Sequence, residues 1–181
     1  MLGEISVQVK LIVFALALTI LTPFFTFFIP LAYFETIYIH IESWLMLIPM
    51  RNFVLLGIGF SGLVVVLMLL AWKRSRYTYV LGTVLLLCTL LIFFQSQRNY
   101  IAFQESGIEM LVYGHVKNYY WEDMKSIVYE SDDKDGSYYI FHMRDGRAFD
   151  IAENGQLKEA RGKLLATIRQ YGVSYKENYH E

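Results

Sequence analysis

The sequence predicts a membrane-embedded helical half followed by a small antiparallel β barrel or sandwich that ends in an α-helix, and three observations predict it. Three stretches without a charge, nineteen, twenty and eighteen residues long, occupy 11–29, 53–72 and 77–94. The charges fall mostly after them: residues 1–95 carry five basic and three acidic residues, and residues 96–181 the other 11 basic and 14 acidic ones. Finally, residues 99–151 break into short β-rich runs separated by turn residues, and from Leu157 the apolar period changes to three and four. A chain that is 55% hydrophobic, 18% charged and holds only three prolines is neither disordered nor a proline-rich linker.

Leu11 to Ile29 is the first expected span, since roughly 20 apolar residues at 1.5 Å rise each cross a hydrocarbon core. Pro23 and Pro30 are placed to kink or end it. A cleaved signal peptide is disfavoured, because the preceding flank holds Glu4 as well as Lys10 and no convincing small-residue cleavage site follows. Residues 34–52 place Glu35, His40, Glu42 and Arg51 among apolar residues, too charged to span; an interfacial segment on the bilayer surface, or a plain loop, is expected. Phe53 to Trp72 and Tyr77 to Phe94 form the second and third spans. They are joined as an antiparallel hairpin by the basic turn Lys73-Arg74-Ser75-Arg76, with Trp72, Tyr77 and Tyr79 where interfacial aromatics belong.

Lys73, Arg74 and Arg76 also set the topology. Basic residues near span ends stay in the cytoplasm, and the turn then puts Lys10 inside too, against Arg51 and Arg98 outside. Three spans leave residues 96–181 outside. Nothing in the spans suggests a proton relay or an intramembrane protease, as no carboxylate lies within them.

In the second half, strands are expected at 99–103, 108–113, 116–120, 126–130, 137–143 and 147–151, the last two joined by Asp145-Gly146, a strong hairpin signal. Leu157, Ala160, Leu164, Leu165, Ile168 and Tyr171 then mark an amphipathic helix that Gly172 stops, before a polar tail at 173–181. Trp121, at a strand exit, is expected to close the core against Leu164, Leu165 or Ile168. In 137–143 both faces are apolar: Tyr138, Ile140 and His142 share one, Tyr139, Phe141 and Met143 the other. One is core; Tyr139 and Phe141 are the candidate contact surface for the bilayer or a protein, unless the helix buries the strand on both sides.

The motifs with chemical meaning dissolve on inspection. Gly57-Ile58-Gly59-Phe60-Ser61-Gly62 fits G-x-G-x-x-G, but it lies inside an apolar span whose amides are used by the helix. Gly57 and Ser61, four apart, instead suggest a close helix–helix contact, within the chain or with another subunit. Ser131 to Gly136 imitates part of a calcium loop but has Ser131 and His142 where acids are required, so a solvated hairpin tip is expected. His40, His115, His142 and His180 have no ligand spacing, no nucleophile sits in a G-x-S-x-G setting, and the lone Cys88 lies among leucines. No cofactor or metal is expected. The mildly acidic second half argues against a nucleic-acid partner.

Tyr100-Ile101-Ala102-Phe103 just after the last span, the Gly107-Ile108 step, Tyr120-Trp121-Glu122-Asp123-Met124 and the Asp145-Gly146 hairpin before a helix together make roughly residues 99–172, within a soluble domain at 96–172, similar to the bacterial pleckstrin-homology-like (PH-like) domains fused to membrane helices. The resemblance implies a non-enzymatic binding or scaffolding module in a multi-pass bacterial cell-membrane protein, with a cytoplasmic domain behind two helices. Three spans depart from that and reverse the side. The first hairpin holds Glu105, Glu109 and His115 in place of clustered cations, so phosphoinositide binding does not carry over. The expected partners are the bilayer and a protein, with homo-oligomers left open and immunity or stress response within the family's range. The alternative is an accessory subunit of a membrane transporter complex.

Overall fold

The computed structural model describes residues 6–37, 42–73, 75–132 and 136–180, and the chain divides into two compact units. The first comprises residues 1–40 and 48–99, the second 41–47 and 100–181.

The first unit contains three helices long and apolar enough to cross a membrane: α1 (Val7–Ile37), α2 (Met50–Trp72) and α3 (Arg76–Ser96). α1 runs through both Pro23 and Pro30 and is longer than the charge-free stretch that predicts it. Only 6 to 17% of the most apolar window of each helix is buried, so among the described residues most of these side chains are uncovered. Ser75 caps α3, its Oγ accepting from the Thr78 N–H at 3.2 Å. Trp72 and Tyr77 flank the turn, each 88% exposed; Arg74 lies outside the described residues. Phe60 of α2 joins the bundle, stacking on Phe25 of α1 and meeting Phe93 of α3 edge-on, with ring centroids 5.6 and 5.1 Å apart.

The second unit is two four-stranded sheets that do not close into a barrel. One has the order β1 (Ser43–Leu47), β2 (Tyr100–Gln104), β3 (Gly107–Val112), β4 (His115–Tyr120), all antiparallel. The other has the order β7 (Ala148–Ala152), β6 (Gly136–Met143), β5 (Met124–Asp132), β8 (Ser174–His180), with β8 parallel to β5. A 3-10 turn over Trp121–Asp123 links the sheets in sequence. Helices α4 (Gly155–Glu159) and α5 (Arg161–Gln170) connect β7 to β8. A parallel neighbour requires such a crossover, because the chain must return to the same end of the sheet.

Two strands are additional to the expected six. Residues 34–52, read as interfacial or as a loop, instead supply the end of α1, strand β1 and the start of α2, with 38–41 outside the described residues. β1 pairs with β2 across the whole α2–α3 hairpin, Leu47 opposite Ile101. The polar tail 173–181 contains β8; an edge strand needs only one half-covered face and can be polar. The terminal helix is also broken at Ala160. Its stop is at Gly172, whose φ of +67° lets the Val173 N–H reach the Ile168 carbonyl at 2.9 Å and the Gly172 N–H reach Arg169 at 3.1 Å. That is the paired hydrogen-bond pattern of a glycine helix terminus, and buried Val173 and Ile168 complete it.

One hydrophobic cluster fills the sandwich. It contains Phe103, Ile108, Trp121, Ile127, Tyr139, Phe141, Leu157, Leu164 and Ile168, with Leu165 half-buried against it. Trp121 is fully buried, its indole N–H donating to the Gln104 carbonyl at 3.0 Å.

Candidate functional site

The residues singled out in the sequence have different fates. Tyr139 and Phe141, the candidate contact surface, are completely buried and belong to the core. The opposite face of β6, with Tyr138, Ile140 and His142, is the half-buried outer one. The alternation is as expected, but the core takes the face whose rings pack inward: Phe141 stacked on Phe149 and Tyr139 tilted against Tyr129, each pair with ring centroids 4.9 Å apart. Gly57 faces α1, where a Cβ would stand 3.8 Å from Thr26, an ordinary contact; Ser61 is exposed and its hydroxyl bonds back to the Gly57 carbonyl at 2.9 Å. The close approach is made by Gly59 and Gly62 against α3. A Cβ on them would come within 2.5 Å of the Phe93 ring and of Thr89 Oγ1.

Two polar clusters escaped sequence reasoning. In the helical unit, buried Asn52 and Asn99 bond reciprocally: Asn52 Nδ2 donates to the Asn99 carbonyl at 2.7 Å, and Asn99 Nδ2 to Asn52 Oδ1 at 3.1 Å. They tie the first turn of α2 to the residues following α3. In the sandwich, Glu153 accepts from the Tyr129 and Tyr139 hydroxyls at 3.0 and 3.1 Å. Arg161, at the start of α5, lies 4.7 Å over the Tyr129 ring and reaches Tyr175 Oη at 3.1 Å and Glu177 at 2.7 Å. Burial raises the Tyr139 phenol well above its ordinary value, and the Glu153 carboxylate beside it adds to the effect. Burial likewise pushes Tyr175 up to about 12, against the pull of Arg161. With donors and acceptors matched, the cluster fastens α5 and β8 to the sheet. Its only sequence signal was the tyrosine density of the strands.

The larger accessible surface features among the described residues include a groove and a cleft. A groove of about 450 Å³ on the outer face of the second sheet is lined by Lys125, Ser126, Val128, His142, Lys176 and neighbouring residues. A cleft of about 500 Å³ lies between two sheet edges, lined by Lys117, Asn118 and Tyr119 of β4 with Arg147 and Ala148 from the start of β7. Its floor is aromatic: the Tyr119 ring lies 4.1 Å from that of Phe149. Arg147 is held at the rim by Asp145 at 2.7 Å. The β3–β4 hairpin ends in Tyr113-Gly114, both at positive φ (53° and 82°), the backbone of a tight two-residue turn. No group of three or more metal-ligating side chains occurs among the described residues.

No family model matches the chain, and no curated protein matches it. Among solved structures, a chain of "Structure of the Spt16D Pob3N heterodimer" is similar over 46% of this chain at 14% identity and a TM-score of 0.38. The match spans 47% of that chain, less than half its length. A likeness this loose carries no functional argument.

Proposed function

We propose that this is a non-enzymatic, multi-pass cell-membrane protein that holds a PH-like module at the membrane surface to bind or scaffold another protein. The observation that carries the reading is the threading of the chain. It passes three times between the helical unit and the sandwich, near residues 40, 47 and 99. β1 and β2 pair side by side although the whole α2–α3 hairpin lies between them in sequence. A domain whose chain leaves and re-enters the helical unit more than once is tethered to those helices by short connections, unlike one hung from a single linker. Apolar helices with so little of their surface buried are in keeping with lipid as their cover. By the charge rule the module faces outside.

The test is made on the full chain expressed in bacterial membranes. Alkaline carbonate should leave it in the membrane pellet, a reporter fused after Glu181 should be active only outside the cytoplasm, and mild-detergent purification after cross-linking should retain a protein partner. Extraction by carbonate would refute the membrane reading. A cytoplasmic reporter would reverse the orientation, and recovery of the bare chain alone would remove the binding role.

A further inference from the structure

We infer that the open edge of β4 is a docking site for an extended acidic segment of a partner protein, which adds to the first sheet as a fifth strand with a carboxylate against Lys117. The inference rests on the protein-binding reading above and adds where the partner binds and what chemistry it presents.

β4 is hydrogen-bonded only to β3, in unbroken register from Gly107↔Tyr120 to Val112↔His115. One row of its backbone N–H and C=O groups therefore lacks a strand partner. Sheet edges are ordinarily blunted by proline, a bulge, a covering element or charged side chains, lysine above all, and β4 carries one lysine, Lys117, which repels a basic strand but pairs with an acidic one. β4 has no proline and no register shift.

The side chains on the two faces of this edge specify the occupant. Val116, Asn118 and Tyr120 alternate on one face, and Val116 and Tyr120 are 56% and 51% exposed. His115, Lys117 and Tyr119 alternate on the other, where Lys117 and Tyr119 line the cleft with Arg147. No carboxylate is among the residues lining that cleft, but Arg147 is already paired with Asp145 at 2.7 Å, so Lys117 is the cation that has no ion pair among the described residues. A strand laid along β4 thus meets Lys117 over an aromatic floor with one set of its side chains and exposed Val116 and Tyr120, on either side of Asn118, with the other. Acidic residues at every second position, with apolar or β-branched residues between them, satisfy both faces. A basic segment would bury like charges together. A second copy pairing antiparallel through β4 would likewise bring Lys117 towards its counterpart, which disfavours self-pairing. Recognition by strand addition takes its affinity from the main chain and its specificity from alternate side chains.

The experiment uses the full chain in detergent micelles and fluorescence anisotropy of a labelled probe, acetyl-Thr-Glu-Val-Glu-Thr-Glu-Val-amide. Saturable binding is expected, weakened about tenfold by Lys117→Glu and about tenfold by methylating alternate peptide nitrogens of the probe. The same peptide with lysine for glutamate should not bind the native chain but should bind Lys117→Glu. Lys117 is exposed, and an unchanged proteolysis midpoint in urea verifies that the variant is folded. Equal binding of both peptides, undiminished binding of the methylated probe, or no binding at millimolar probe would each overturn the inference. So would efficient disulfide cross-linking between copies carrying Asn118→Cys in a Cys88→Ala background. If a partner co-purifies equally with native and Lys117→Glu chains, the binding module stands and this site falls.

Discussion

Replacing Trp121 by alanine should unfold the sandwich while leaving the helices inserted. The indole is fully buried between the sheets' core residues, its ring centroid 6.5 Å from that of Phe103. Large-to-small replacement of a buried tryptophan costs about 3–5 kcal/mol, the transfer term plus the cavity left behind. The indole N–H also satisfies the Gln104 carbonyl, and an acceptor left buried without its donor costs about 1–3 kcal/mol. A unit of this size has roughly 5–10 kcal/mol to lose. Trp121→Ala should therefore be largely unfolded or nearly so at 25 °C, whereas Trp121→Phe, which restores much of the volume but not the donor, should be folded with a loss of about 2 kcal/mol. Pulse proteolysis in urea of the full chain in mild detergent reads the sandwich, and carbonate resistance reads the helices. A Trp121→Ala chain whose urea midpoint moves by less than about 1 kcal/mol equivalent would refute the core assignment. If it stayed folded but lost its partner, Trp121 would be a contact residue.

Gly59→Ala should destabilise the helical unit by about 1–3 kcal/mol through the clash with Phe93, while Gly57→Ala, with only an ordinary contact to Thr26, should not; thermal aggregation in detergent followed by size-exclusion chromatography compares them. Asn52→Leu removes both reciprocal bonds and leaves the Asn99 groups short of them, so a loss of about 1–3 kcal/mol is expected in the same assay. The tyrosine cluster makes the sandwich sensitive to alkali. The raised phenols stay protonated in the fold, while unfolded tyrosines ionise from about pH 10. Unfolding then releases protons, so this stability is complete below about pH 10 and is lost as pH rises towards and beyond about 12. Tyr139→Phe should flatten the fall in urea midpoint over that range; an unchanged slope would mean that the phenol is not held neutral.

Features written in short stretches were legible from sequence. The three helices follow from length without charge, the hairpin turn from Asp145-Gly146, and the end of α5 from Gly172, because each depends on a handful of neighbouring residues. The tertiary structure decided whatever depended on partners distant in sequence. Ser43–Leu47 reads equally well as a strand or an interfacial segment until β2 lies beside it. Ser174–His180 is too polar to look like a strand unless β5 offers it an edge. Alternation placed Tyr139 and Phe141 on one face of β6 but could not say which apolar face turns inward. The same holds for α2: a helix apolar all round has no stripe to give its rotational phase. Gly57 and Ser61 suggested a helix contact without naming the neighbour; Gly57 faces α1, while Gly59 and Gly62 are turned towards α3. Local sequence encodes the period of an element; only packing against a neighbour fixes its phase and its pairing.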